Sequence, residues 1–377
     1  MIIGIPRETE RLEHRVGMTP FSVSRLVRAG HAVVVERDAG AEAHFSDRDY
    51  TEAGAEIGYS AEEVYQRADL VCQVGTIRPG ELDLVRSGSL VAAFHHLAVA
   101  PRATLDRLRS LDTTLIGYEI IEDEKGDRPI LLSMSDLAGQ LAIHEAAHLL
   151  QIHSGGRGIL LGNTPGVPAA TVLVLGAGSV GTVAARHAAA IGAQVIVMDE
   201  DLRKLQLVHR ALGGRVVTCM FDEMQLARYV AMADAVIGAV LIPGGRSPFL
   251  VTEEMVRSMR PGSVIVDVSI DQGGCVETSR PTTLDNPTFR VHDVVHYCVP
   301  NMTANIARTA SRALTDAILP YILRIAEDGL ETVVREDPGF GCGLYMYRGR
   351  IVNEVVAHLM GVEVEPLAGL LEGGANS

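Results

Sequence analysis

The chain has 377 residues, too many for one ordinary hydrophobic core and suited to two domains of common size. A 47% hydrophobic fraction with 21% charged residues describes a folded chain and excludes a disordered one. The 33 basic and 47 acidic residues give a formal charge of −14, which argues against nucleic acid or an anionic membrane as partner and leaves a small metabolite as the better fit.

An apolar strand over 1–5 closes at Pro6, and a polar loop follows with Arg7, Glu8, Arg11, Glu13 and Arg15. The N-terminal string MIIGIPRE lacks the basic-then-apolar pattern of a leader, and no run of about 18 uninterrupted apolar residues occurs, so a cytoplasmic setting is expected. A helix over 20–29, a break at Gly30 and a strand over 31–36 complete a βαβ unit. The pattern continues with helices near 46–54 and after Ser60, strand 69–74, helix 79–85, strand 89–94, helix 101–108 and strand 113–117. Strands alternating with helices predict a parallel, doubly wound sheet. This half has no glycine fingerprint, so something other than a dinucleotide is expected at its strand ends.

A long helix is expected from Ser135, with Asp136 as alternative cap, through LAGQLAIHEAAHLLQIH to Gly155 and Gly156. The stretch 171–199, TVLVLGAGSVGTVAARHAAAIGAQVIVMD, reads as strand, glycine turn, helix and strand. Gly176 permits the tight turn, Gly178 lets a pyrophosphate approach the backbone, and Gly181 lets helix pack on strand. The helix N-terminus, with Ser179 and Val180 in its first turn, faces the phosphates. Asp199 ends the second strand, where an acid accepts the hydroxyls of an adenosine ribose and repels a 2′-phosphate. NAD is therefore favoured over NADP, with Arg203 nearby pulling the other way. Strand 215–218, helix 224–232, strand 234–238, helix 252–259, strand 263–267 and strand 288–292 continue this half. After Asn301 a second long helix runs to Gly329, and 330–377 supplies the last pieces, ending in a frayed LLEGGANS tail. The predicted fold is α/β, with two doubly wound, Rossmann-like parallel-sheet domains, 1–136 plus 304–377 and 137–303. Two long helices join them, and an active-site cleft is expected between them.

His144, Glu145 and His148 match the HExxH pattern of zinc proteases, and helical spacing puts both histidines on one face. The extended pattern fails, because Gln151 stands in the glycine place and Ser154 in the final histidine place. These histidines are read as lining a helix near the domain junction, and no metal is expected. Cys72, Cys219, Cys275, Cys298 and Cys342 lack CxxC spacing, so neither a disulfide framework nor a thiolate metal site is indicated. Arg15, His96, Asp271 and Asn301 all follow predicted strand ends, where open α/β sheets bind ligands.

These residues and their neighbours resemble the alanine dehydrogenases, a family that also holds the NAD-binding subunit of transhydrogenase and the saccharopine and carboxyethyl-ornithine enzymes. The resemblance runs nearly end to end. It is carried by GIPRE at 4–8, RVGMTP at 15–20, HHLA at 95–98, GYE at 117–119, LLSMSDLAGQLA at 131–142, VLGAGSVG at 174–181, IGAVLIPGGRSP at 237–248, VDVSIDQGGCVETSRPTT at 266–283 and VHDVVHYCVPNM at 291–302. It implies that Arg15 holds a substrate carboxylate, His96 is the general acid/base, Asp271 steers ammonia and water, and Asn301 lies beside the nicotinamide. It also implies cofactor contacts by Ser135, Asp199, the glycines, Val240 and Leu241, reversible oxidative deamination of L-alanine to pyruvate and ammonium, and a homo-hexamer.

One departure bears on substrate. Where the resemblance implies a lysine in a strand-end sequence like LKVKEP, this chain reads CQVGTIRP, putting Gly75 at the lysine position. Loss of such a preorganised charge costs about 3 kcal/mol, on the order of 100-fold in rate, unless Arg78 or another group replaces it. His95, before the acid/base histidine, and the run Thr303-Ala304-Asn305 depart in the same region. Two readings follow: an NAD-dependent amino-acid dehydrogenase, either of alanine dehydrogenase type or with a substrate shifted to another amino acid or a secondary amine formed from a keto acid, since Gly75 leaves room for a larger molecule or one that brings its own cation; or a catalytically weakened NAD-binding regulatory protein.

Overall fold

The computed structural model describes residues 1–97, 101–240 and 247–373. Leu241, the last residue of the HHLA string and the final four residues of the tail lie outside the described residues. The chain divides into two compact units, Met1–Met134 with Ala304–Ser377, and Ser135–Thr303.

The first unit begins with β1 (Ile2–Ile5), β2 (Ala32–Glu36), β3 (Glu56–Gly58), β4 (Leu70–Cys72), β5 (Leu90–Ala93) and β6 (Thr114–Gly117). The second contains β7 (Thr171–Leu175), β8 (Gln194–Asp199), β9 (Val217–Met220), β10 (Ala235–Gly238), β11 (Val264–Asp267), β12 (Thr288–Val291) and β13 (Val294–Tyr297). The chain then returns to the first unit, adding β14 (Leu344–Tyr347) and β15 (Arg350–Ile351). The first sheet has the order β15-β14-β6-β5-β4-β1-β2-β3, and the second β12-β13-β11-β10-β7-β8-β9. Strands from β1 to β6 pair in parallel, and so do β7 to β11 with β13. Such strands are covered on both faces, which is why Val33, Val34, Val35, Val172, Leu173 and Val174 form continuous apolar runs with no polar alternation.

In each sheet the chain first builds outward on one side and then crosses back to the other side of its starting strand. The order reverses between β1 and β4 in the first sheet and between β7 and β10 in the second. Open α/β sheets hold ligands outside the carboxyl ends of strands at such reversals. The residues after β1 and β4, and those after β7 and β10, are therefore the candidates in each unit.

Several local expectations are corrected. The long helix spans Pro129–Leu149, because a proline with its fixed φ starts a helix well. Ser135 and Asp136 therefore lie within it and do not cap it. Only a short 3₁₀ turn, Pro79–Glu81, forms where a helix over 79–85 was expected. The strand expected to end the second unit is a hairpin, β12 pairing antiparallel with β13. Its turn uses His292 and Asp293 at φ 50° and 61°, left-handed residues without the Asn-Gly signature that marks such turns. The second long helix starts at Ala307, after a 3₁₀ turn at Met302–Ile306, and ends at Gly329. Among the described residues no helix is long and apolar enough to cross a membrane.

Candidate active site

In the second unit the turn after β7 is built as its glycines require. Gly176 has φ 101°, and a Cβ there would collide with the Ala239 carbonyl that follows β10. A Cβ on Gly181 would strike the Gly176 carbonyl, so the helix can approach the strand only without one. Gly178 differs: a Cβ there would meet no protein atom within 4 Å. The space over it is open, and it opens onto the N-terminus of helix Ser179–Ala190, which no side chain caps. Unsatisfied N–H groups beside an open glycine form an anion cradle of the kind a pyrophosphate takes.

Asp199 closes this turn from the end of β8. Its carboxylate accepts the N–H groups of Ala177 at 2.7 Å and Asp201 at 2.8 Å. Arg203 is turned to the surface and bonded to Asp201. A Cβ on Gly139 would lie 2.6 Å from the Val180 carbonyl and 2.9 Å from Val183 Cβ, so the helix carrying Ser135 packs directly on the first turn after the glycines. Ser135 lies one turn earlier on the same face of that helix. After β10, the Val240 N–H donates to Ser269 Oγ at 2.9 Å. Asp267, buried at the end of β11, accepts N–H groups from Ser269, Cys275 and Val276 and the Ser279 hydroxyl, and so organises the loop that carries Asp271. Asn301 has φ 51°, and its N–H donates to Asp271 Oδ1 at 3.0 Å.

In the first unit the loop after β1 turns back onto the end of β4. Glu8 Oε1 accepts the Val74 N–H at 2.5 Å, and Oε2 the Gly75 N–H at 3.2 Å. Burial pushes the Glu8 carboxyl up to about 8 and neighbouring Glu13 adds to the rise, against the pull of the two N–H groups and Arg15. Arg15 is buried and held by Glu13, Nε to Oε1 at 2.7 Å and Nη2 to Oε2 at 2.5 Å. The Phe94 N–H donates to the Val74 carbonyl at 2.9 Å, which ties the end of β4 to the end of β5, where His96 leaves the sheet.

His96 has φ 46°, a conformation that costs a non-glycine residue on the order of 1 kcal/mol and is held only by its surroundings. The holder is Glu119 Oε1, which accepts the His96 N–H at 2.6 Å and the Tyr345 hydroxyl at 3.0 Å. The His96 side chain is 58% exposed, stacks on Phe94 at 6.0 Å, and keeps Nδ1 3.9 Å from the same carboxylate oxygen. An imidazole so fixed, with one nitrogen facing a carboxylate and the ring open, suits proton transfer.

His95, which stands beside the acid/base histidine in sequence, is in the core. It is 1% exposed, its Nε2 donates to the Val91 carbonyl at 3.2 Å, and burial pushes its imidazole below the ordinary range. Successive residues at a strand end face opposite ways, so His96 opens outward while His95 turns inward against Tyr345. Arg78 is engaged by Glu10 and by the turn it begins. In the HExxH stretch, His144 Nε2 lies 2.9 Å from His187 Nε2 and His148 Nε2 3.1 Å from Ser154 Oγ. Among the described residues no group of three or more His, Cys, Asp or Glu side chains could hold a metal ion.

The family model of the alanine dehydrogenase/PNT N-terminal domain matches residues 4–138, and that of the C-terminal domain matches residues 142–354. The chain belongs to the alanine dehydrogenase/PNT family. The alanine dehydrogenase of Mycolicibacterium smegmatis is 43% identical over 357 residues, covering 95% of this chain and 96% of that protein. The alanine dehydrogenase of Methanococcus maripaludis is 42% identical over 358 residues, with the same coverage. A solved L-alanine dehydrogenase superposes with a TM-score of 0.91 at 41% identity, covering 96% of this chain and 99% of the other.

For this member of the alanine dehydrogenase/PNT family, the residues that reading by spacing missed are acids: Glu8, Glu13, Glu119 and Asp267. Each acts through backbone N–H groups or a neighbouring side chain, and no short motif records that. For Glu119 a signal existed in the GYE string, where an acid stands two residues after the buried end of a strand.

Proposed function

We propose that this protein is an NAD-dependent dehydrogenase that acts on the CH–NH2 carbon of an amino acid, of the alanine dehydrogenase type. L-Alanine, NAD and water would give pyruvate, ammonium, NADH and a proton. The observation that carries this reading is His96, held left-handed by Glu119 with its ring open beside the strand ends that carry Gly75 and Glu8. The names of the relatives, alanine dehydrogenases over nearly the full chain, supply the substrate class.

The cradle over Gly178, the uncapped helix N-terminus, Ser135, Asp199 and Val240 fit a nicotinamide dinucleotide. When bound, that group would accept hydride from the substrate Cα. Asp199, its charge held at the end of β8, favours an unphosphorylated ribose, while Arg203 is engaged by Asp201. On the substrate side, Arg15 orients the carboxylate. His96 removes the proton from the water that attacks the iminium carbon, then returns it to the leaving amine. Asp271, which accepts the Asn301 N–H, takes part in steering ammonia and water. A cytoplasmic setting and a homo-hexamer belong to the same reading and rest on the resemblance alone.

Steady-state NADH formation with NAD and a panel of L-amino acids tests it. Turnover with alanine or a related amino acid, absent with NADP, is the expected result. Tight NADH binding with no turnover of any amino acid would favour a regulatory binding protein instead.

A further inference from the structure

The gap at Gly75 is not demanded by the backbone. Gly75 is outside the left-handed region, and a Cβ on it would meet only Glu8 Oε2, at an ordinary contact of 3.5 Å. The segment is nevertheless rigidly held. Gln73 Nε2 donates to the Gly75 carbonyl at 2.7 Å, the Tyr65 hydroxyl donates to Gln73 Oε1 at 2.8 Å, and Glu8 binds the N–H groups of Val74 and Gly75. The gap is therefore preorganised, and it lies at the order reversal between β1 and β4, where a sheet of this kind takes its ligand.

Its wall is a carboxyl without a counter-ion. Among the described residues no cationic side chain pairs with Glu8, and the nearby Arg15 is taken up by Glu13. The charged and titratable groups that act on Glu8 or feel it are Glu13, Arg15, Tyr65 and Tyr118. When Glu8 and Glu13 are both ionised, two carboxylates face the one guanidinium of Arg15 among the groups that act on Glu8.

We propose that the space beside Gly75, walled by Glu8, is a subsite for a primary ammonium carried by the substrate, so that the preferred amino acid has a second amine on its side chain. The proposal rests on the dehydrogenase reading above. An arriving ammonium supplies the missing charge, donates to the Glu8 carboxylate and fills volume that a lysine side chain would otherwise take. Side-chain amines keep their proton to about pH 10, so above pH 8 the pair is ionic on both sides.

The test compares kcat/KM for L-2,4-diaminobutyrate, L-ornithine and L-lysine with that for neutral L-norvaline and L-alanine at pH 9, in wild type, Glu8→Gln and Gly75→Lys. A charge-assisted hydrogen bond predicts a preference of roughly 10- to 100-fold for at least one diamino acid over norvaline in wild type. Glu8→Gln should remove that preference, lowering the diamino-acid to norvaline ratio of kcat/KM to about one, through KM. Gly75→Lys, whose Cβ meets only Glu8 Oε2 at 3.5 Å, should reverse the order in favour of alanine. Equal or better turnover of norvaline by wild type overturns the proposal, as does a preference that survives Glu8→Gln. Stimulation of alanine turnover by free propylammonium without any diamino-acid preference also overturns it. Alanine turnover without diamino-acid preference leaves the dehydrogenase reading standing, whereas no turnover of any amino acid removes both.

Discussion

The two order reversals, β1/β4 and β7/β10, are the same topological feature lined in opposite ways. At β7/β10 the lining is backbone: Gly176, Gly178 and Gly181 let main chain and helix N–H groups do the work, and an acid, Asp199, secures the turn. At β1/β4 the lining is side chain: Glu8, Glu13 and Arg15 come from the loop after β1, and Glu8 reaches back to the end of β4. A phosphate cradle needs donors that are always in place, which backbone gives without conformational cost. A substrate site needs charge and proton transfer, which only side chains supply, and it can be altered one residue at a time. One half is thus constrained by sterics and the other by charge.

Substitutions should separate the two along that line. Gly176→Ala puts a side chain at φ 101° and against the Ala239 carbonyl. We expect a loss of about 2 kcal/mol or more, a Tm lower by on the order of 5 °C, and the largest fall in NADH affinity of any single change, read by calorimetry. Glu119→Ala frees the His96 backbone and should lower kcat by about 100-fold with KM nearly unchanged, while Glu119→Gln, which keeps the acceptor, should recover most of that loss. A KM effect without a kcat effect would remove Glu119 from its positioning role.

Asp199→Ala removes one charge and two accepted N–H groups. The ratio of NAD to NADP turnover should fall by roughly 10-fold. Glu8→Gln bears on stability and pH. The folded-state carboxyl titrates near 8, above its unfolded value, so its contribution is fully present below about pH 4.5 and is lost as pH rises through 8. Melting curves should show Glu8→Gln close to wild type at pH 4 and more stable than it at pH 9. A wild-type Tm independent of pH over that range would contradict the raised Glu8 carboxyl.

The same contrast explains what the sequence made legible. The glycine spacing and flanking apolar runs are local, so the second sheet and its cradle could be read directly. The first unit could be read for function only through resemblance, because its contacts join residues such as Glu8 with Val74 and Glu119 with His96, far apart in the chain. His95 was misjudged for a related reason: adjacency in sequence to His96 says nothing about which side of the strand end a ring takes. The His292-Asp293 turn escaped notice because left-handed residues other than Asn and Gly leave no mark.

Single-turnover hydride transfer in wild type and His96→Ala, with NADH affinity measured in parallel, tests the central claim most directly. The account predicts that amino-acid oxidation falls by about 1,000-fold in His96→Ala while NADH binds with unchanged affinity. Retention of the wild-type rate, or loss of NADH binding together with turnover, would contradict it.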